Sequence, residues 1–395
     1  MEKISFDQLK VILKKEGEIE KDVKEIIDIV KKEGDKAILY FTEKFDKVKL
    51  ENIKVSDNYI KESRKYLKGE IFEYIKEAKG RIEKYHKKQL PVEFKLKEKE
   101  IEIEFKFTPI EKVGIYIPSG QSPLISTCLM TIIPAKIAGV KEIYISSPPS
   151  FNGKIHPLII ATCNYLGVKD IFSVGGVQAI TAFAFGTETI PKVDLIVGPG
   201  NKYVNFAKKL LYGEIGIDLL AGPSEVVIFS DNSGREDFIE YDLKAQIEHK
   251  DGLGILITTD EKIGNSISQK IKDGYWLLVK DEKEAIEIIN YISPEHLQVI
   301  SKKPNIFKNC KAGAIFIGNY TPVVIGDYFA GPSHVLPTGL TGRFSSGLNV
   351  LNFLRSYAII KCRKEFIKKY GKYIEKIAEI EGLENHKNSI KARNL

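Results

Sequence analysis

The chain has 395 residues, 43% of them apolar and 29% charged, values ordinary for a folded globular protein that exclude a disordered or fibrous one. Its 60 basic and 53 acidic residues leave a formal charge of +7, but the signs interleave, as in Lys97-Glu98-Lys99-Glu100, which describes a solvated surface rather than a nucleic-acid-binding stripe. At this length one core rarely suffices, so two or more domains are expected.

No apolar run reaches bilayer-spanning length, and Met1-Glu2-Lys3-Ile4 opens with charges instead of a signal peptide's apolar core, so a cytoplasmic protein is expected. Cys128, Cys163, Cys310 and Cys362 lack paired spacing and read as buried reduced thiols.

Up to about residue 110, Lys, Glu, Ile and Tyr recur at helical spacing, as in Val23, Ile26, Ile27 and Val30, which predicts amphipathic helices. Alternation at Ile101, Ile103, Phe105 and Phe107 predicts strands leading into the next region. From Val113 short apolar runs alternate with helical patterns. Strands are expected at 113–117, 142–146, 171–174 and 194–197, and helices near 126–138, 156–166, 177–185 and 203–212. A second series follows, with strands at 225–229, 253–258, 276–279 and 314–317, and helices at 238–249, after Asp260 and at 282–292.

This alternation signals doubly wound parallel sheets. The fold expected is α/β: two doubly wound, Rossmann-like α/β domains with a helical N-terminal segment and a C-terminal helical tail. The boundaries are 1–20 for the N-terminal segment, 21–112 with 225–350 for one domain, 113–224 for the other and 351–395 for the tail. The tail is too short to fold alone and should pack on another part of the protein or on a partner subunit. A glycine-rich, irregular stretch from Tyr320 to about Asn349 is long enough to be a functional loop.

Six histidines occur, and four of them, His249, His296, His334 and His386, sit in unusual polar or glycine-rich surroundings. Gln246 and His249 are three apart on a predicted helix, so a carbonyl oxygen and an imidazole share one face and are candidates for metal ligation. A polar helix terminus, with His249 complementing the dipole, explains the same spacing. Glu295-His296 follows Ser293-Pro294; the imidazole suits a base that takes a hydroxyl proton as hydride departs, and Glu295 an activator of water. A helix beginning at Pro294 is the alternative.

The loop from Gly326 to Thr338 crowds Asp327 and His334 among two glycines and two prolines, a composition suited to holding polar side chains rigidly. Asp327 is a candidate ligand and His334 a candidate substrate contact. In the tail, Gly382 separates Glu381 from His386, and a functional role there requires the tail to reach a pocket elsewhere. Two strand-to-helix turns, Val174-Gly175-Gly176-Val177-Gln178 and Val197-Gly198-Pro199-Gly200-Asn201, present free amides of the kind that bind anions. Neither has the three spaced glycines of a dinucleotide fingerprint.

Taken in order, these segments resemble the histidinol dehydrogenase family from about Val113 to the C-terminus. The carriers are Gly114-Ile115-Tyr116-Ile117-Pro118, Gly175 to Ile180, Gly198 to Asn201, Ala221-Gly222-Pro223-Ser224-Glu225, Gln246-Ile247-Glu248-His249, Ser293 to Leu297, the 327–338 loop, and Glu381-Gly382-Leu383 with His386. The resemblance implies a zinc- and NAD-dependent oxidation of L-histidinol, through the aldehyde, to histidine, the last step of that amino acid's biosynthesis. It implies one Zn²⁺ per subunit held by Gln246, His249, Asp327 and His386, and Glu295 with His296 as the acid-base pair. Ser224, His334 and Glu381 would contact substrate together with the zinc ligands and Glu295. Tyr116, Gln178 and Asn201 would contact NAD in the 113–224 domain, while the other α/β domain carries most zinc and catalytic residues.

The resemblance also implies a homodimer, with Glu381 and His386 supplied by the neighbouring subunit. Ser333 stands where the family commonly carries Asn, and the N-terminal region matches weakly. Two alternatives stay open at this point: the same scaffold acting on another amino alcohol or a sulfonated alcohol, and a non-catalytic ligand-binding paralogue.

Overall fold

The computed structural model describes all residues except 14–18, 120–121, 221, 223, 250 and 395; Ala221, Pro223 and Lys250, within or beside the motifs above, therefore lie outside the described residues. The chain divides into two compact units, Met1–Gln89 with Ile110–Phe353, and Leu90–Pro109 with Leu354–Leu395.

The first unit holds two parallel sheets. A five-stranded sheet has the order Ile171–Ser173, Glu142–Ser147, Lys112–Tyr116, Leu195–Val197, Gly216–Ile217, so the chain starts in the middle and winds outward both ways. The change of direction falls between Lys112–Tyr116 and Leu195–Val197, where loops diverge and leave a crevice. A six-stranded sheet has the order Glu2–Lys3, Tyr275–Leu278, Leu253–Thr258, Glu225–Ser230, His296–Ile300, Ala314–Ile317. Its middle strands are almost wholly buried, and their continuous Val, Ile and Leu runs are what a parallel strand covered on both faces requires.

The expected alternation is thus present, with differences at the edges. The segment 1–20 is not simply helical: Glu2–Lys3 adds an edge strand, and Ile4 and Leu9 are buried in the core of the six-stranded sheet. The helix Phe6–Ile12 starts at a reciprocal capping box between Ser5 and Gln8, which satisfies otherwise orphaned amides. The helices Glu20–Glu33 and Asp35–Asp46 share one apolar cluster with Tyr116 and Phe172 of the five-stranded sheet and Phe183 of the helix Gly176–Phe185. The region 21–53 therefore packs with 113–224 and not with 225–350, because its Val23, Ile26, Ile27 and Val30 stripe needs a partner face. His296, weighed above as part of a helix start, opens a strand.

The second unit is a three-stranded antiparallel sheet, ordered Leu354–Cys362, Ile101–Pro109, Phe94–Lys97, followed by the helices Lys364–Ile380 and Glu384–Lys391. The tail is therefore not helical throughout. Tyr357, Ile359 and Ile360 give the nine residues Leu354–Cys362 the β-branched and aromatic character of a strand, paired in register from Leu354 with Pro109 to Cys362 with Ile101. Cys362 is exposed and Cys310 half-buried, whereas Cys128 and Cys163 are buried; all four are free thiols.

One buried ion pair fixes the turn after Leu195–Val197. Lys208 and Asp218 are both almost fully buried with Nζ to Oδ1 at 2.8 Å. Lys208 also donates to the Gly198 carbonyl, and Asp218 accepts from the Gly198 amide at 2.7 Å. Gly198 has φ +115° and a Cβ there would strike the Tyr116 carbonyl, so only glycine serves. Removing one member of a buried pair strands the other charge and costs about 3–5 kcal/mol. Lys208→Met is accordingly expected to lower the unfolding free energy by about that amount in denaturant titrations; a loss below 1 kcal/mol would show the pair to be dispensable.

Candidate active site

The polar cluster grows from the N-terminal ends of the two central strands of the six-stranded sheet. In register, His296 lies between Val226 and Ala314, so Glu225 and Glu295 sit side by side one residue earlier. The helix Glu282–Ile292 ends at Ser293, a buried non-glycine residue at φ 45°. That left-handed turn followed by Pro294 swings the chain directly into the strand, and such local strain is held where surroundings over-determine it.

Glu295 Oε2 accepts from the Ser224 hydroxyl at 2.5 Å and from the Glu225 amide at 3.0 Å. Ser224 in turn accepts from Gln246 Nε2 at 2.9 Å. His296 Nδ1 stands 3.7 Å from Glu295 Oε2 and its Nε2 3.7 Å from Asp327 Oδ1. His334 Nδ1 donates to the Asp327 carbonyl at 2.9 Å, so a neutral His334 accepts at Nε2 from the Thr127 hydroxyl, 3.3 Å away. These contacts link six of the expected residues, Ser224, Gln246, Glu295, His296, Asp327 and His334, into one network.

Electrostatics in this network is governed by dehydration. Burial pushes the Glu295 carboxyl up to about 8 against the Ser224 and Glu225 hydrogen bonds, Glu225 up to about 7 and Asp327 up to about 6. Burial, assisted by the nearby His334 and His249, drives His296 down to about 3, so its imidazole is neutral. His334 is lowered by burial and further by His249. Each group moves toward its uncharged form, the expected response of ionisable groups taken from water without a counter-ion.

His249 is exposed and lies two residues beyond the helix Glu236–Ile247, not on it as expected; its amide bonds the Gln246 carbonyl at 3.2 Å. The tight turn still keeps it near His296 and His334, on which its charge acts. Glu381 and His386 belong to the second unit, where both are exposed. Among the described residues no three of His, Cys, Asp or Glu are grouped so as to hold a metal by themselves.

The three residues expected to contact NAD meet in a separate cleft of about 650 Å³ at the C-terminal ends of the five-stranded sheet. Tyr116 ends its strand, and its hydroxyl accepts from the Gly176 amide at 3.2 Å. Gln178 lies in the first turn of the helix Gly176–Phe185 and is 1% exposed, with Oε1 lacking any hydrogen-bond partner among the described residues. Asn201 caps the helix Lys202–Leu211, its Oδ1 accepting from the Tyr203 and Val204 amides at 3.0 and 3.1 Å.

Sequence reasoning gave no role to Glu225, Thr127 or Asp46, which lines the cleft. Glu225 stood inside a quoted motif, and its signal was a carboxylate opening an otherwise apolar strand. Thr127 and Asp46 had none, since each sits in an ordinary helical pattern.

The histidinol dehydrogenase family profile matches residues 12–394. A histidinol dehydrogenase of Methanocaldococcus jannaschii is 42% identical over 95% of this chain and 92% of its own length. One from Clostridium acetobutylicum is also 42% identical, over 96% and 93%. The crystal structure of histidinol dehydrogenase from Elizabethkingia anophelis superposes with a TM-score of 0.91 at 34% identity, covering 100% of this chain and 97% of that one.

Glu225 supplies a test of the dehydration argument. Its folded pKa, about 7, exceeds the unfolded value of 4.5, so the native state binds more protons across that interval and stability falls as pH rises from about 4.5 to 7. Glu225→Gln is expected to flatten this fall and to gain roughly 3 kcal/mol over the parent at pH 8 relative to pH 4.5. Denaturant titrations across that range check it, and an unchanged slope contradicts it.

Proposed function

The chain belongs to the histidinol dehydrogenase family, and from that membership we propose the following chemistry for its two sites. The protein is an oxidoreductase of histidine biosynthesis, and its substrate, L-histidinol, is taken through L-histidinal to L-histidine as two NAD molecules are reduced in turn. The observation that carries this reading is the unbroken chain of contacts from Gln246 through Ser224, Glu295 and His296 to Asp327, together with a single cleft lined by Tyr116, Gln178 and Asn201.

Gln246, His249 and Asp327 would hold a zinc ion, with His386 of a partner copy as fourth protein ligand in a homodimer and Glu381 from the same copy reaching the substrate. The donor set of amide oxygen, imidazoles and carboxylate fits Zn²⁺, and Asp327, dehydrated and without a Lys or Arg ion pair among the described residues, is a carboxylate that a divalent cation would stabilise. When bound, the ion would orient the substrate's nitrogens, a template role needing no redox change.

The chain's own residues do the rest. His296, neutral in its buried setting, takes the hydroxyl proton as hydride leaves the carbinol carbon for NAD, giving aldehyde, NADH and a proton. Glu295 in its ionised form, favoured above about 8 and with Oε2 held by Ser224 and Glu225, uses its remaining oxygen to draw a proton from water as that oxygen adds to the aldehyde. His296 meanwhile returns its proton to the carbonyl oxygen to complete the hydrate. The hydrate then loses hydride to a second NAD, with His296 again accepting a hydroxyl proton, and the carboxylic acid formed releases its remaining proton to solvent as the carboxylate. His334, fixed by Asp327 and Thr127, lies beside this path to contact the substrate.

With excess NAD the protein is expected to form two NADH per L-histidinol consumed and to lose this turnover on chelation, regaining it with zinc. One NADH per substrate, or turnover that resists chelation, contradicts the reading. His296→Asn is expected to cut kcat by at least 100-fold, within the usual range for a general base, with zinc content unchanged; near-normal turnover would remove His296 from that role.

A further inference from the structure

The cleft that holds Tyr116, Gln178 and Asn201 has a second wall, formed by Asp22, Glu25, Phe41, Lys44, Phe45 and Asp46 of the two N-terminal helices. Asp46 breaks several local rules there. It is the last residue of the helix Asp35–Asp46, where a negative charge opposes the helix dipole. Its Oδ2 is buried and has no hydrogen-bond partner among the described residues, and burial raises the carboxyl to about 6. An orphaned, misplaced carboxylate costs stability, and such costs are retained where a ligand repays them.

A second buried orphan belongs to another residue of the same lining. Gln178 Oε1, in a side chain 1% exposed, also lacks a donor. Two unsatisfied acceptors in one cleft call for a ligand rich in hydroxyl or amine donors. The cleft is also divided electrostatically. The N-termini of the helices Gly176–Phe185 and Lys202–Leu211 attract phosphate, whereas Asp22, Glu25 and Asp46 outnumber Lys44 on the other wall and repel it.

Resting on the assignment of this cleft to NAD, we infer that Asp46 accepts hydrogen bonds from the adenosine-ribose diol of the dinucleotide and, with Asp22 and Glu25, excludes the 2′-phosphate of NADP. A carboxylate has the two acceptor oxygens that a vicinal diol can fill, and the same oxygens repel a phosphate put in place of one hydroxyl. Asp46 is thus a specificity-determining residue supplied by the N-terminal helices.

Isothermal titration of the full-length protein with NAD and with NADP, before and after Asp46→Asn and Asp46→Ser, tests this. Both variants are expected to weaken NAD roughly tenfold and to leave NADP unchanged or tighter, so that the preference for NAD falls at least tenfold. The melting temperature without ligand should not drop, because an unpartnered carboxylate has been removed. Unchanged NAD affinity overturns the proposal. So does equal weakening of both dinucleotides with a lowered melting temperature, which marks a structural role, and so does equal affinity of the unaltered protein for both. If the unaltered protein binds neither, the assignment of the cleft to NAD itself falls, and this inference with it.

Discussion

Dehydration of ionisable groups at the N-terminal edge of the six-stranded sheet is the constraint from which the rest of the site follows. Glu225, Glu295 and His296 are each less than a tenth exposed, and no Lys or Arg among the described residues is paired with Glu225, Glu295 or Asp327. Burying a carboxylate without a cation is unfavourable enough that it binds a proton instead. The fold limits the cost by supplying Ser224, two backbone amides and Gly339, whose N–H reaches Glu225 Oε1 at 3.1 Å. What it does not supply is positive charge, and a divalent ion at Asp327 would provide it.

The two sheets place their sites at opposite ends of their strands. In the five-stranded sheet the cleft lies at the C-terminal ends beside the change in winding direction, where parallel α/β sheets usually bind ligands. In the six-stranded sheet the buried polar cluster stands at the N-terminal ends, where adjacent parallel strands in register bring Glu225 beside Glu295. The contact of Thr127 with His334 ties the helix after Lys112–Tyr116 to the loop carrying Asp327. The cleft and the polar cluster are therefore both built from elements of the first unit, with the Lys208–Asp218 pair and the Ser293 turn fixing the backbone at each.

Much of this was legible in the sequence because the parallel strands are continuous apolar runs punctuated by glycine turns. The strands Leu253–Thr258 and Ala314–Ile317 and the helix Glu282–Ile292 fall where the pattern places them. Local pattern is silent on pairing over long sequence separations, so the union of Ile101–Pro109 with Leu354–Cys362 and the docking of residues 21–53 on the five-stranded sheet had to come from the structure. The same reason hid Asp46, whose meaning lies in an unsatisfied oxygen and not in its neighbours along the chain. The helical pattern runs two residues past the observed end at Ile247, to His249, because Gln246-Ile247-Glu248-His249 carries no helix-stop residue of its own.

Zinc-edge anomalous diffraction from crystals of the zinc-loaded protein tests the central claim most directly. The account predicts one peak per chain, roughly 2.0–2.2 Å from oxygen of Gln246 and Asp327 and nitrogen of His249 and of a His386, with Glu295 and His296 alongside. A peak bound elsewhere, or these side chains remaining apart once the copies in the assembly are considered, would contradict it.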